Sequence, residues 1–179
     1  MDWNVVVTAH DDGFDRAEAE LRDLGEVGRT DYYNVLVLRV EDRDTFLEAL
    51  DDRATLIPDL FTDAIARVAP AQRTIEFEDR RTFEATAAEA ARAFAPRIAG
   101  RSFYVRVHRR GMKRFIASDR AERVIADALL EALEEAGESA SVAFDDPDAV
   151  LAVETVGRRA GLSVWSREDL NERPYLDPG

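Results

Sequence analysis

Arg101-Ser-Phe-Tyr-Val-Arg-Val-His-Arg-Arg-Gly111 is the stretch on which the fold turns. Phe103, Val105 and Val107 alternate with Tyr104, Arg106 and His108, the two-residue period of a strand with one buried face and one open face. The spacing predicts a strand over Ser102 to His108, and Gly111 sits in a basic turn, Arg109 to Arg114, that follows it. Between Arg97 and Arg114 there are seven basic residues and no Asp or Glu. With −13 for the whole chain and +7 in this segment, the rest carries −20. So local a reversal of sign marks a surface suited to a polyanion, on a molecule that repels polyanions elsewhere.

Downstream of the turn, Ser118 is placed to cap a helix. Val124, Ile125, Ala128, Leu129, Ala132 and Leu133 form its apolar stripe, and Gly137 ends it. Ser141 to Phe144 reads as a short strand, Asp146-Pro147-Asp148 as a turn, and Ala149 to Val156 as a buried central strand because it is almost wholly apolar. Gly157 to Gly161 turns the chain into a last strand, Leu162 to Trp165. Upstream of the basic segment, Thr74 to Phe77 predicts a strand and Thr82 to Phe94 an Ala-rich helix closed by Pro96 and Gly100.

The first seventy residues follow another pattern. Trp3 to Ala9 is a strand built on Val5, Val6 and Val7. Phe14, Ala17, Leu21 and Leu24 recur at helical spacing before Gly25. Glu26 to Thr30 and Asn34 to Val40 pair as a hairpin across Asp31, Tyr32 and Tyr33. Arg43 to Asp52 places Phe46, Leu47 and Leu50 on one helical face, and Ala64 to Ala69 is a strand ended by Pro70. The order βαββαβ is the ferredoxin-like arrangement. The chain is therefore expected to be α/β (α+β) throughout, with a first module over 1–70 and a second domain over 71–179.

Composition excludes several functions. The 179 residues contain no cysteine, so disulfides, thiolate metal sites and thiol catalysis are ruled out. No run approaches the roughly 18 apolar residues of a membrane span. No signal-peptide pattern opens the chain, so the expected location is the cytoplasm. Lys113 is the only lysine among 24 basic residues, against 37 acids. An acidic, lysine-poor surface suits a salt-rich, halophilic cytoplasm; a GC-rich genome would also favour arginine. At molar salt the Debye length is about 3 Å, so binding there rests on direct contacts, which arginine makes better than lysine. Phosphate-binding loops, dinucleotide fingerprints and nucleophile elbows are absent. Asp11-Asp12-Gly13 and Asp145 to Asp148 lack cation-loop spacing and read as turns and caps. No catalytic residue, metal ligand or cofactor is expected.

Two readings of the basic segment stand on the residues alone. In one, Arg109, Arg110, Lys113 and Arg114, with the first amides after Ser118, hold phosphates, and Tyr104 or His108 stacks a base. In the other, the arginines pair with nearby acids as surface ion pairs, and His108 is an ordinary outward strand residue.

The sequence Arg101 to Gly111, the helix from Ser118, the turn and strand Phe144-Asp-Asp-Pro-Asp-Ala-Val-Leu-Ala-Val-Glu-Thr-Val156, and Gly161-Leu-Ser-Val164 together resemble a THUMP domain. Such domains bind RNA, chiefly tRNA, and usually follow a ferredoxin-like module. Asn171-Glu-Arg-Pro-Tyr-Leu-Asp177 resembles the tail of stand-alone THUMP proteins that assist tRNA cytidine acetylation. The catalytic relatives add a methyltransferase, deaminase or sulfur-transfer domain, for which these 179 residues leave no room. The resemblance thus implies a non-enzymatic adaptor that presents tRNA to a separate modifying enzyme, an acetyltransferase first. Its implied RNA contacts are Arg101, Tyr104, Arg106, His108, Arg109, Arg110, Lys113 and Arg114, with Arg158 and Arg159 as a second group. Two alternatives remain: an accessory subunit for tRNA methylation or thiolation, and a ferredoxin-like regulator that binds protein or small ligand but not RNA. On the first view, replacing Arg109 and Arg110 with Glu removes tRNA binding without unfolding the protein.

Overall fold

The computed structural model describes residues 1–179. The chain divides into two compact units. One comprises Met1–Pro70 with Arg173–Asp177, the other Ala71–Glu172 with Pro178–Gly179.

The first unit contains β1 (Val5–Ala9), α1 (Phe14–Leu21), β2 (Glu26–Arg29), β3 (Val35–Arg39), α2 (Arg43–Leu56) and β4 (Ile65–Pro70). All neighbours in its sheet are antiparallel, in the order β2-β3-β1-β4, which is the ferredoxin-like topology. Val5, Val6 and Val7 are all buried, as expected of a central strand. The side-chain amide of Asn4 closes the strand end, donating to Val40 O and accepting from Val40 N at 2.9 Å each. Asp42 caps α2 by accepting from Thr45 N at 2.7 Å. The stretch before β4 is a π-helical turn, Leu60–Ala64, and not a plain loop. It lies so close to Gly13 that a Cβ there would fall 2.5 Å from Ala64 Cα, so only glycine fits.

Residues 173–177 complete this unit. Tyr175 stacks on Phe61 with ring centroids 4.5 Å apart and planes within 8°. Its hydroxyl donates to Asp51 at 2.7 Å, and Arg173 donates to the same carboxylate at 2.9 Å.

The second unit contains β5 (Arg73–Glu76), α3 (Arg80–Arg92), α4 (Ala95–Ile98), β6 (Ser102–Arg110), α5 (Ser118–Glu135), β7 (Ser141–Val142), β8 (Ala149–Val156), β9 (Arg159–Ser166) and α6 (Arg167–Glu172). Its sheet order is β5-β9-β8-β6-β7, with β6 parallel to both β7 and β8 and the remaining pairs antiparallel. Phe83, Ala87 and Ala91 of α3 and Ile125, Leu129 and Leu133 of α5 share one core with Phe103, Val105 and Val107 of β6. The opposite sheet face carries Tyr104, Arg106 and His108, as the alternation predicts.

Several boundaries differ from the sequence expectation. Strand β6 runs on through Arg109 and Arg110, so the turn begins at Gly111. Ser118 is the first helical residue of α5. Its N-cap is Ala117, with no side-chain cap, because burial of Ile116 fixes the chain one residue earlier. Pro96 does not close a helix but sits in the first turn of α4, where its missing N–H costs nothing. Strand β7 stops at Val142, short of Phe144. Gly161 lies within β9, opposite Glu154, and the connection is the tight Gly157-Arg158 turn with Gly157 at φ +63°.

Candidate nucleic-acid interface

The parallel pairing of β6 with β8 decides where the basic residues gather. Parallel strands end on the same side of a sheet, and here Arg110 is in register with Val156. Gly157 N donates to Arg110 O at 3.0 Å, joining the loop after β6 to the turn after β8. Arg109, Arg110, Lys113, Arg114, Arg158 and Arg159 are thereby collected at one end of the sheet. Arg101 lies at the other end of β6, about 30 Å away at the usual rise per residue. Tyr104, Arg106 and His108 occupy the face between.

These residues do different work. The Arg110 guanidinium pairs with the buried Glu154 carboxylate at 2.5 Å. Arg109 donates to the main-chain oxygens of Lys113, at 3.3 Å, and Ile116, holding the loop against the strand it leaves. Gly111 (φ +85°) and Met112 (φ +54°) make the sharp exit. Arg159 pairs with Glu76 at 3.1 Å and donates to Thr74 Oγ1 at 3.1 Å. Arg158 pairs with Glu78 at 3.0 Å, but both side chains are exposed, so the pair adds little to stability. Arg101, Arg106, Lys113 and Arg114 lie at the surface and take part in no ion pair.

The aromatic candidates are engaged by the chain itself. His108 Nε2 donates to Pro178 O at 2.5 Å, and Tyr104 OH donates to Gly179 O at 2.8 Å. The ion-pair reading of the basic segment describes Arg110, while Arg109 is held by main-chain oxygens and Arg101, Arg106, Lys113 and Arg114 remain unpaired at the surface. The expectation that Arg109 and Arg110 can be reversed to Glu without structural damage is corrected, since one bolts a loop and the other neutralises a buried carboxylate. At the start of α5, Asp119 places a negative charge in the first turn, next to the amides after Ser118.

The Asp-Pro-Asp turn has a structural task. Asp148 accepts from Ser102 N at 2.9 Å and Ser102 Oγ at 3.1 Å, while Asp148 N donates back to Ser102 Oγ at 2.9 Å. This reciprocal clamp sets the start of β6 against the start of β8. Those hydrogen bonds, chiefly from the Ser102 backbone, hold the Asp148 carboxyl below its ordinary range, with Arg167 and Arg101 adding to the effect. Asp146 takes φ +45°, a conformation Asp and Asn tolerate, and accepts from Arg167 at 3.0 Å.

Two exposed aromatics escape sequence reasoning. Phe115, 58 % exposed, stands between the Lys113–Arg114 pair and buried Ile116; Phe144, 81 % exposed, lies 6.3 Å from the Tyr104 ring. In Phe115-Ile116 only one of two adjacent apolar residues can turn inward, which is the one available signal. No group of three or more His, Asp or Glu side chains is arranged to hold a metal ion.

An antiparallel βαββαβ unit joined to a mixed five-stranded sheet, with two helices on one face and a basic edge, defines a two-unit α/β protein. Residues 80–164, which lie within the second unit, match the family model of the THUMP domain. Among solved structures, the chain is similar to TrmN from Thermus thermophilus (TM-score 0.63, 20 % identity), covering 89 % of this chain and 44 % of that one. PH1313 from Pyrococcus horikoshii Ot3 gives a TM-score of 0.57 at 17 % identity, over 90 % of this chain and 54 % of that one. A 4-thiouridine synthetase solved as an RNA complex with bound ATP gives 0.58 at 16 %, over 90 % and 40 % respectively. The chain thus spans about half or less of each of these relatives, and the likeness is one of fold. A comparison with curated proteins finds no match.

Proposed function

We propose that this chain is an RNA-binding adaptor that holds tRNA on the basic end of its second unit and presents it to a separate modifying enzyme. The observation that carries this is the placement of exposed, unpaired Lys113 and Arg114 at the end of the β6–β8 pair, within a THUMP domain, on a chain of net charge −13. Cations left without partners amid such an acid excess suit phosphate contacts. The 4-thiouridine synthetase that shares the fold was itself solved with RNA. No helix is long and apolar enough to cross a membrane.

The enzyme partner favoured by the tail, Asn171 to Asp177, is a tRNA cytidine acetyltransferase, and the chain contributes no catalytic group. The thiouridine synthetase neighbour favours a second reading, an accessory role in thiolation. Nucleoside mass spectrometry of tRNA from a deletion strain separates them: loss of acetylated cytidine supports the first, loss of thiolated uridine the second. Binding itself is tested with the Lys113→Glu, Arg114→Glu double variant, which is expected to lose tRNA affinity at an unchanged melting temperature. Undiminished affinity in a titration at the native salt sinks the adaptor reading.

A further inference from the structure

We propose that Phe115 is a stacking platform for an unpaired base of the bound RNA, so that the loop grips a nucleotide by its flat face as well as by its phosphates. The inference rests on the RNA-binding reading above and adds what part of the RNA this loop meets.

The outward direction of Phe115 is built into the loop. Phe115 N and Ile116 N both donate to Met112 O, at 2.8 and 2.9 Å. Met112 packs against the core of the second unit, and Ile116 is 1 % exposed within it. The Arg109 guanidinium binds the carbonyls on either side of the Arg114–Phe115 pair, those of Lys113 and Ile116. The loop is thus tied at both flanks, and its one large apolar ring is left in water between these ties.

The neighbours of that ring select its ligand. Lys113 and Arg114 precede it, exposed and without acidic partners, and Arg158 stands on the turn that shares the same sheet end. An exposed aromatic ring preceded in the chain by two exposed, unpaired cations suits a nucleobase with its flanking phosphates. Base stacking on an aromatic side chain inside a basic groove is the general physics of unpaired nucleic-acid binding. A continuous duplex hides its base faces, so the segment that meets Phe115 is a loop, bulge or opened pair.

The test uses the full chain with Phe115→Ala and Phe115→Trp. The probes are a tRNA transcript, a fully paired RNA duplex and phosphatidylglycerol vesicles. The Ala variant is expected to bind the transcript about five- to a hundredfold more weakly, with duplex binding little changed. The Trp variant should restore affinity, and its emission should be quenched by the transcript beyond the signal of Trp3 and Trp165, both buried. Transcript binding by Phe115→Ala at wild-type strength overturns this inference alone. Emission from the Phe115→Trp variant that answers to vesicles and not to RNA also overturns it, in favour of a membrane surface. If the wild-type chain binds none of the RNAs, the RNA-binding reading falls and this inference with it.

Discussion

The Arg110 guanidinium crosses the parallel β6–β8 pair to reach the Glu154 carboxylate at 2.5 Å, and that Glu side chain keeps only 4 % of its surface exposed. A buried carboxylate is tolerated only where a cation and hydrogen bonds compensate it. Arg110→Glu should therefore cost the second unit about 3 kcal/mol or more, since it sets two carboxylates face to face. Urea unfolding of the single variant and of the swapped pair, Arg110→Glu with Glu154→Arg, checks this. Equal stability of single variant and wild type would mean that the pair carries no weight.

Arg109→Lys keeps the charge but loses the planar fork that binds two carbonyls at once. The expected result is faster amide exchange over residues 111–117 and a severalfold loss of RNA affinity at unchanged net charge. An exchange profile like that of the wild type would show that the fork does not order the loop.

Asp148 gives the second unit an acid-sensitive clamp. Its folded pKa lies below the unfolded value of about 3.9, so its contribution is fully present above that value and is lost as pH falls through the folded pKa. Asp148→Asn should be less stable than wild type at neutral pH and lose less stability on acidification below about pH 4. Parallel stability-versus-pH curves for the two proteins would contradict this.

In the first unit, Tyr175→Phe removes the hydroxyl that donates to Asp51 and should cost about 2 kcal/mol, as hydrogen bonds to charged groups do. Tyr175→Ala also removes the ring stacked on Phe61 and should cost about 3 kcal/mol or more. Burial first, then the Asp51 hydrogen bond, pushes the tyrosine pKa well up, so this contribution persists through neutral pH and fades only in strong alkali. Thermal melts of the two variants, ordered Tyr175→Ala below Tyr175→Phe below wild type, confirm the ranking.

Periodicity makes much of the architecture legible. The alternation of Phe103, Val105 and Val107 marks the inner face of β6, and the apolar run Ala149–Val156 is β8 residue for residue. The helix α5 is legible too, although its deepest positions are Ala121, Ile125, Leu129 and Leu133, with Val124 and Ala128 only half-buried. What sequence could not supply is partnership across distance. Arg110 and Glu154 are 44 residues apart, and their contact follows from strand register, which no local pattern reports. The same holds for Tyr104 and His108, whose polar atoms face Gly179 and Pro178. Phe115 is hidden for a different reason, because an apolar residue beside a buried isoleucine reads as core until the loop's direction is known.

The docking of Arg173 and Tyr175 on Asp51 and Phe61 has a consequence for biosynthesis. A ribosome delivers the first seventy residues, then about a hundred residues of the second unit, and only then the five that finish the first. During translation the early βαββαβ segment therefore waits with the Phe61 ring uncovered and the Asp51 carboxylate without its two donors. Domains usually mature in order from the amino terminus. Here the unit that emerges first is not completed until every strand of the second has been made.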